Sequence, residues 1–428
     1  MQVESQLTTV WLLTAVDAMC CKRFAMRDLP PPRPRGNRID AVPHNAPELA
    51  GHGAFAVGVT TLRLTNRDQI DVAASARGPL RLADRDLVTE LWYPAVSGAA
   101  PNRDSASRYR TELRDGDTSV WLHGLACRDA GWASDGPFPL VVLSHGHPGN
   151  RFLMAHLAEA LASRGYVVAA VDHLGSTYCD HQNFGATLVH RPTDQRFVID
   201  ALADPKAGYA DRIDTETVGV IGYSMGAYGA LIFGGAGLSE AAMTYAKTTR
   251  RALLVRHAAG SASLDALVDP RVKAIVPIGI WGAQHDFWRP EALAAMTKPC
   301  LLIGGSADEV SGYAAGIRQV FSGLTGCDRH LLTFVGAAHN AAAPIPAPEE
   351  SWAPSPGLNF LPADHYADPV WDTIWMNAVA QHFSAAFLGL HLKQQTALAT
   401  YLDADFAGFR AGTDRGLQFE TLPAGHQT

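Results

Sequence analysis

The chain has 428 residues, 47% apolar, 18% charged and 8% aromatic, with a formal net charge of −7, the balance of a folded globular protein and not of a disordered or fibrous one. A mild acidic excess argues against the concentrated basic face that nucleic-acid binding requires, and no run of about 18 apolar residues is present to span a membrane. At about 150 residues per domain the length allows two or three domains, although large α/β enzymes often exceed that allowance as one. The six cysteines, Cys20, Cys21, Cys127, Cys179, Cys300 and Cys327, form no C-x-x-C pair. That excludes a zinc ribbon or a dense disulfide framework and leaves room for one isolated disulfide.

Residues 10–16 (VWLLTAV) form a short apolar run that no basic residue precedes and Asp17 ends. A secretory leader is built otherwise, so a cytoplasmic chain is slightly favoured and export stays open. Pro30, Pro31, Pro32, Pro34, Pro43 and Pro47 forbid helix and sheet interiors, and residues 1–50 are expected to be an irregular extension. Residues 55–64 (FAVGVTTLRL) predict a first strand; residues 87–93 (LVTELWY) alternate apolar and polar, as an antiparallel edge pair does.

After Gly136 the texture changes. Residues 139–144 (PLVVLS), 166–172 (YVVAAVD), 218–222 (VGVIG), 274–280, 300–304 and 331–335 are short, nearly continuous apolar runs, the signature of strands buried on both faces. Helical stretches lie between them. One is residues 152–164, where Leu153, Leu157 and Leu161 share a face and Gly165 supplies a cap; another is residues 197–203. The alternation predicts an α/β chain with a mostly parallel central sheet flanked by helices, spanning residues 51–395. Pro277 conflicts with its place inside one of those strands. Residues 234–269 exceed the about two to six residues such a connection needs, which predicts a small lid or an inserted helical pair, and the proline-rich residues 344–362 are expected as another wall. Asp368-Pro369 reads as the cap and first position of a long helix striped by Trp375, Val379, Phe383 and Phe387. Residues 396–428 are expected to be peripheral.

The strongest chemical signal is Gly222-Tyr223-Ser224-Met225-Gly226. This G-x-S-x-G pattern follows a buried strand and precedes a helix of small residues, the strand–turn–helix context of a nucleophile elbow. A serine hydroxyl is a poor nucleophile until a histidine takes its proton, and the histidine needs a carboxylate to fix its tautomer. Two later strands each end in a candidate: Asp308 after residues 300–304 and His339 after residues 331–335. Glu309 and Asp286 compete for the acid's role, and order and loop position favour Asp308. Two backbone amides must face the developing oxyanion; Met225, next to the serine, and His147, in the loop Ser144-His145-Gly146-His147-Pro148-Gly149-Asn150, are the candidates. His145 and His147 lack the further ligands of a metal site, and the side chain of His145 is expected to bond within its loop. His173 and Trp281 are candidate pocket residues beside His145. Phe287 and Trp288 are weaker ones, and residues 191–196 (RPTDQR) read as a charged, paired helix start.

With LWYP (91–94), LSHG (143–146), VVAAVDH (167–173), GYSMG (222–226) and the late Gly336 to His339, residues 53–393 resemble the α/β-hydrolase superfamily. Within it they are similar to the dienelactone-hydrolase-like and platelet-activating-factor-acetylhydrolase-like serine esterases. The resemblance implies an α/β-hydrolase fold with Ser224, Asp308 and His339 as its triad. There are departures. Dienelactone hydrolases use a cysteine where this chain has Ser224, and the acetylhydrolase pattern takes its acid one strand earlier, where residues 279–282 hold no carboxylate. The expected function is a serine hydrolase acting on a small carboxylic ester through an acyl-enzyme, with no metal or organic cofactor and no nucleic-acid partner; the oligomeric state stays open. An amidase or peptidase would use the same three groups. A non-catalytic binder on this fold is the rival outside the enzymes, and a binder has no need of all three.

Overall fold

The computed structural model describes residues 36–96, 98 and 106–426; the apolar run at 10–16, Cys20, Cys21 and the prolines up to Pro34 lie outside them. Strands β1 (Ala56–Ile70) and β2 (Leu82–Ala95) form one antiparallel hairpin, β3 (Ala106–Glu112) and β4 (Ser119–Arg128) a second. Then come β5 (Phe138–Ser144), α1 (Ala155–Ala162), β6 (Val167–Val171), α2 (Phe184–Ala203), β7 (Ile213–Tyr223) and α3 (Met225–Phe233). Three short helices, α4 (Glu240–Thr244), α5 (Arg251–Leu254) and α6 (Ala262–Leu267), precede β8 (Val272–Ile278) and α7 (Pro290–Ala294). The chain continues through β9 (Cys300–Gly305), α8 (Gln319–Gly323), β10 (Arg329–Phe334), α9 (Thr373–Lys393) and β11 (Leu417–Leu422).

The sheet runs in the order β11-β10-β9-β8-β7-β5-β6-β2-β1-β4-β3. Its centre, β6 to β10, is parallel, and antiparallel strands flank both sides. Parallel strands bring their C-terminal ends to one edge, where such sheets build their sites. One face carries α1 and α9, whose Leu157, Leu161, Val379, Phe383 and Phe387 are buried in one apolar layer. The other carries α2, α3 and α8, with Leu188, Val198, Ile232 and Val320 in a second layer. Phe383 and Phe387 are fully buried, so truncating either to alanine would cost about 3–5 kcal/mol. Among the described residues no helix is long and apolar enough to cross a membrane.

Several expectations are corrected. Strand β2 is no edge: it pairs with β1 on one side and β6 on the other. Helix α1 is shorter than residues 152–164, because residues 151–154 form a turn. Helix α2 begins at Phe184, capped by the Asn183 side chain, and runs through Pro192. A proline removes the bond to the carbonyl four residues back, and here the Tyr228 hydroxyl donates to that Leu188 carbonyl at 2.9 Å. Residues 191–196 therefore lie inside this helix and do not start it. Pro277 does sit in β8, opposite Gly222 of β7, and pairing with β9 is reduced to two positions.

The long C-terminal helix starts four positions later than Asp368 implies, at Thr373. Asp372 caps it by accepting from the Trp375 N–H, and Asp368 instead accepts from Val370 and Trp371 in the turn before. Residues 396–428 are not peripheral throughout, since β11 closes one side of the sheet against β10. Residues 234–269 form three short helices, not a pair. Leu254, Leu264 and Leu267 are buried among them, so this insertion is part of the packed layer.

Candidate active site

Strand β7 ends at Tyr223, and α3 begins at Met225, leaving Ser224 alone in the turn with φ 54° and ψ −111°. Such a conformation costs a non-glycine residue about 1–3 kcal/mol and persists only where its surroundings fix it. The Ser224 N–H donates to the Ile278 carbonyl at 2.8 Å, and the Ser224 carbonyl accepts the first bond of α3 from Tyr228 at 3.0 Å. Tight packing demands the two motif glycines. A Cβ on Gly222 would lie 2.3 Å from the Gly226 backbone, and one on Gly226 would lie 1.9 Å from the Ser144 carbonyl oxygen.

The Ser224 hydroxyl donates to His339 Nε2 at 3.0 Å. The opposite ring nitrogen, Nδ1, donates to Asp308 Oδ2 at 2.8 Å. The second carboxylate oxygen of Asp308 accepts from the Val310 and Ser311 amides at 2.9 and 2.8 Å, so both oxygens are held. Strands β9 and β10 are parallel neighbours in register, which brings the loops carrying Asp308 and His339 together. The Ala338 N–H donates to Asp368 at 2.7 Å, and the Tyr223 ring lies 5.2 Å from the His339 ring, centroid to centroid. Asp308 is buried. The competing acids stand elsewhere: Glu309 is exposed, and Asp286 follows a short turn where its carbonyl accepts from the Ser239 hydroxyl.

The oxyanion candidates flank the serine. Met225 opens α3, so its N–H has no acceptor within the helix. The loop after β5 crosses Ser224 closely: a Cβ on Gly146 would sit 3.5 Å from the Ser224 Cβ. His147 turns its ring away, with Nδ1 2.9 Å from Ser176 Oγ and the ring 5.0 Å from that of Phe184. Burial, then Arg191, pushes its pKa down to about 3, so the imidazole is neutral.

Two candidate pocket residues are corrected. His145, in the loop, and His173, below it, are both buried, and their ring nitrogens are taken by protein partners. His145 bonds within its loop, Nδ1 to the Gly146 carbonyl at 2.7 Å, while its Nε2 accepts the His173 N–H at 3.2 Å. His173 bonds Ser144 Oγ through Nε2 at 2.8 Å and Asp194 through Nδ1 at 3.1 Å, and Asp194 accepts from the Arg85 fork. Trp281 does border the site. Its ring packs 5.3 Å from Phe184, 5.7 Å from Tyr245 and 5.1 Å from His285, and the Trp281 backbone N–H approaches the Ser224 carbonyl at 3.5 Å. Phe287 and Trp288 are core, with the Trp288 indole donating to the Ala236 carbonyl.

Sequence reasoning missed Arg191. It is 1% exposed, and its guanidinium donates to the carbonyls of His145 and Gly146 and to Ser176 Oγ. Its acceptors are two backbone carbonyls, which every residue carries, and the hydroxyls of Ser144 and Ser176, both distant in the chain, so the sequence holds no signal for it.

Comparison with known proteins agrees with this architecture. Residues 50–199 match the family described as platelet-activating factor acetylhydrolase, isoform II. A bis(hydroxyethyl) terephthalate hydrolase of Streptomyces coelicolor is 26% identical over 255 residues, 58% of this chain and 66% of that protein. Cutinase est2 of Thermobifida alba is 25% identical over 202 residues, 47% of this chain and 52% of that protein. The chain thus matches less than two thirds of these relatives' own length. The solved structure of a ferulic acid esterase from Streptomyces cinnamoneus superposes with a TM-score of 0.61 at 24% identity, covering 90% of this chain and 99% of that one. With its parallel sheet, its elbow and these matches, the chain has the α/β-hydrolase fold, and over residues 50–199 it is similar to the platelet-activating-factor-acetylhydrolase family.

Proposed function

We propose that the protein is a serine carboxylic ester hydrolase working through an acyl-enzyme. The observation that carries this reading is the unbroken relay from Ser224 through His339 to Asp308, with bonds of 3.0 and 2.8 Å. His339 Nε2 takes the hydroxyl proton as Ser224 Oγ attacks the ester carbonyl, and Asp308 holds the imidazolium. The oxyanion lies against the Met225 and His147 amides. Collapse of the tetrahedral adduct expels the alcohol, which receives the proton from His339. Water, deprotonated by the same nitrogen, then releases the acid and restores Ser224. These steps are carried by side chains and backbone amides alone.

The substrate class is a small ester. Two of the similar proteins are a bis(hydroxyethyl) terephthalate hydrolase and a ferulic acid esterase, both cleaving esters of aromatic acids. The aromatic wall of Trp281, Phe184 and Tyr245 suits an apolar or aromatic group beside the nucleophile. The test is hydrolysis of p-nitrophenyl esters beside matched anilides, with fluorophosphonate labelling mapped by mass spectrometry. Ester turnover, a single adduct on Ser224 and loss of both in Ser224→Ala are expected. Faster cleavage of anilides than of esters would make it an amidase, and no labelling of Ser224 would overturn the reading.

A further inference from the structure

The amide nitrogen of His147 belongs to the same peptide as the Gly146 carbonyl, and that peptide is trans. In a trans peptide the N–H and C=O point in opposite directions, so whatever grips the carbonyl aims the N–H. Two buried donors grip it. His145 Nδ1 bonds the Gly146 oxygen at 2.7 Å, and Arg191 Nη2 bonds it at 3.3 Å while Nη1 holds the carbonyl of His145, the residue before. The same Nη2 donates to Ser176 Oγ, which bonds the ring of His147. Arg191 therefore touches the loop on both sides of the Gly146–His147 peptide.

The His145 tautomer follows from its partners. The His173 N–H donates to its Nε2, which leaves the proton on Nδ1, facing the Gly146 oxygen. A buried position holds this network against water, where a hydrogen bond to a charged group is strong and a lost partner is felt.

We propose that Arg191 and His145 are positioning residues that aim the His147 N–H at the oxyanion, acting through the Gly146 carbonyl. The proposal rests on the reading of Ser224 as the nucleophile. Neither side chain touches substrate. Both act only when negative charge develops, because an oxyanion donor is useful in the transition state and adds little to substrate binding.

Asparagine places a side-chain N–H where histidine has Nδ1, so His145→Asn keeps the donor and His145→Ala removes it. Arg191→Met keeps the stem and removes the fork. A misaimed donor loses up to about 10²-fold in rate. Arg191→Met and His145→Ala are expected to lower kcat by about 10- to 100-fold with KM within about threefold. Affinity for an aryl trifluoromethyl ketone, which forms a tetrahedral adduct on serine, should fall by the same factor, and His145→Asn should recover most of both. A folded Arg191→Met or His145→Ala enzyme with kcat within about threefold of the parent would overturn the proposal. So would a loss seen in KM alone, or His145→Asn as impaired as His145→Ala. If Arg191→Met fails to fold, the two His145 variants decide the matter. Failure of the underlying functional reading looks different: the parent protein itself would be neither labelled at Ser224 nor active on esters.

Discussion

Replacing Asp308 by asparagine is expected to remove nearly all turnover, and the hydrogen bonds around the carboxylate say why. Oδ1 accepts from two backbone amides, Val310 and Ser311, at 2.9 and 2.8 Å. An asparagine must keep its oxygen toward those donors, so its NH2 group is turned toward His339 Nδ1. Two N–H groups cannot face each other. The imidazole then carries its proton on Nε2, the nitrogen that meets the Ser224 hydroxyl at 3.0 Å, and the proposed base is no longer a base. A wrong tautomer of this kind lowers kcat by about 10⁴, or about 5.5 kcal/mol of transition-state stabilisation, while KM changes little. The assay is steady-state hydrolysis of p-nitrophenyl butyrate, with circular dichroism to verify folding. Asp286→Asn and Glu309→Gln, which alter the two exposed acids, should each stay within about tenfold of the parent. An Asp308→Asn enzyme within about tenfold of the parent, or a dead Asp286→Asn enzyme, would refute the assignment.

Other perturbations have equally defined outcomes. Trp281→Ala should raise KM for an aromatic ester about tenfold, near 1.4 kcal/mol of lost ring contact, and leave an acetate ester little changed; equal effects on both would remove Trp281 from the substrate wall. His156 is buried with neither ring nitrogen bonded, and burial pushes its pKa down to about 3. Its folded pKa lies below the unfolded value of about 6.5, so the stability present above pH 6.5 is lost as pH falls toward 3. At pH 5 the loss reaches about 2 kcal/mol, and His156→Leu should narrow the pH 7 to pH 5 stability difference by that amount in urea melts. An unchanged difference would show that His156 is not the group being titrated.

What the sequence made legible follows from chemistry that is local. The central strands announce themselves as short apolar runs because both of their faces are covered, and the elbow because two glycines are sterically required: a Cβ on Gly226 would meet the Ser144 carbonyl at 1.9 Å, and one on Gly222 the α3 backbone at 2.3 Å. The acid and the histidine stood in order at the ends of their own strands. What stayed hidden depends on partners far along the chain. Pro192 reads as a helix breaker, and only the Tyr228 hydroxyl, in another helix, lets α2 run through it. Strand β3 exposes Arg108 and Arg110, so its sequence does not look like sheet. Asp368 and Asp372 are both good caps, and the choice between them is made by the Ala338 N–H reaching Asp368 from the histidine loop.

The buried cluster beneath the loop also explains why three residue types in the right bonding order are not sufficient for a nucleophile. Ser144, His173 and Asp194 repeat the hydroxyl–imidazole–carboxylate relay, with bonds of 2.8 and 3.1 Å. Three differences separate it from Ser224, His339 and Asp308. Ser144 is the last residue of β5, paired on both sides and wholly buried, whereas Ser224 stands in a turn. His173 lies under burial and the Arg191 charge, which push its pKa down to about 3, so it cannot take up a serine proton near neutral pH. Asp194 spends its charge on Arg85 as well. The cluster therefore acts as a fixed polar floor for the loop, and its chain of donors and acceptors runs on through the His173 N–H to His145 and the Gly146 carbonyl. Fluorophosphonate should modify Ser224 and leave Ser144 untouched. An adduct on Ser144 would mean that the loop opens, and that the network holding it is weaker than its geometry implies.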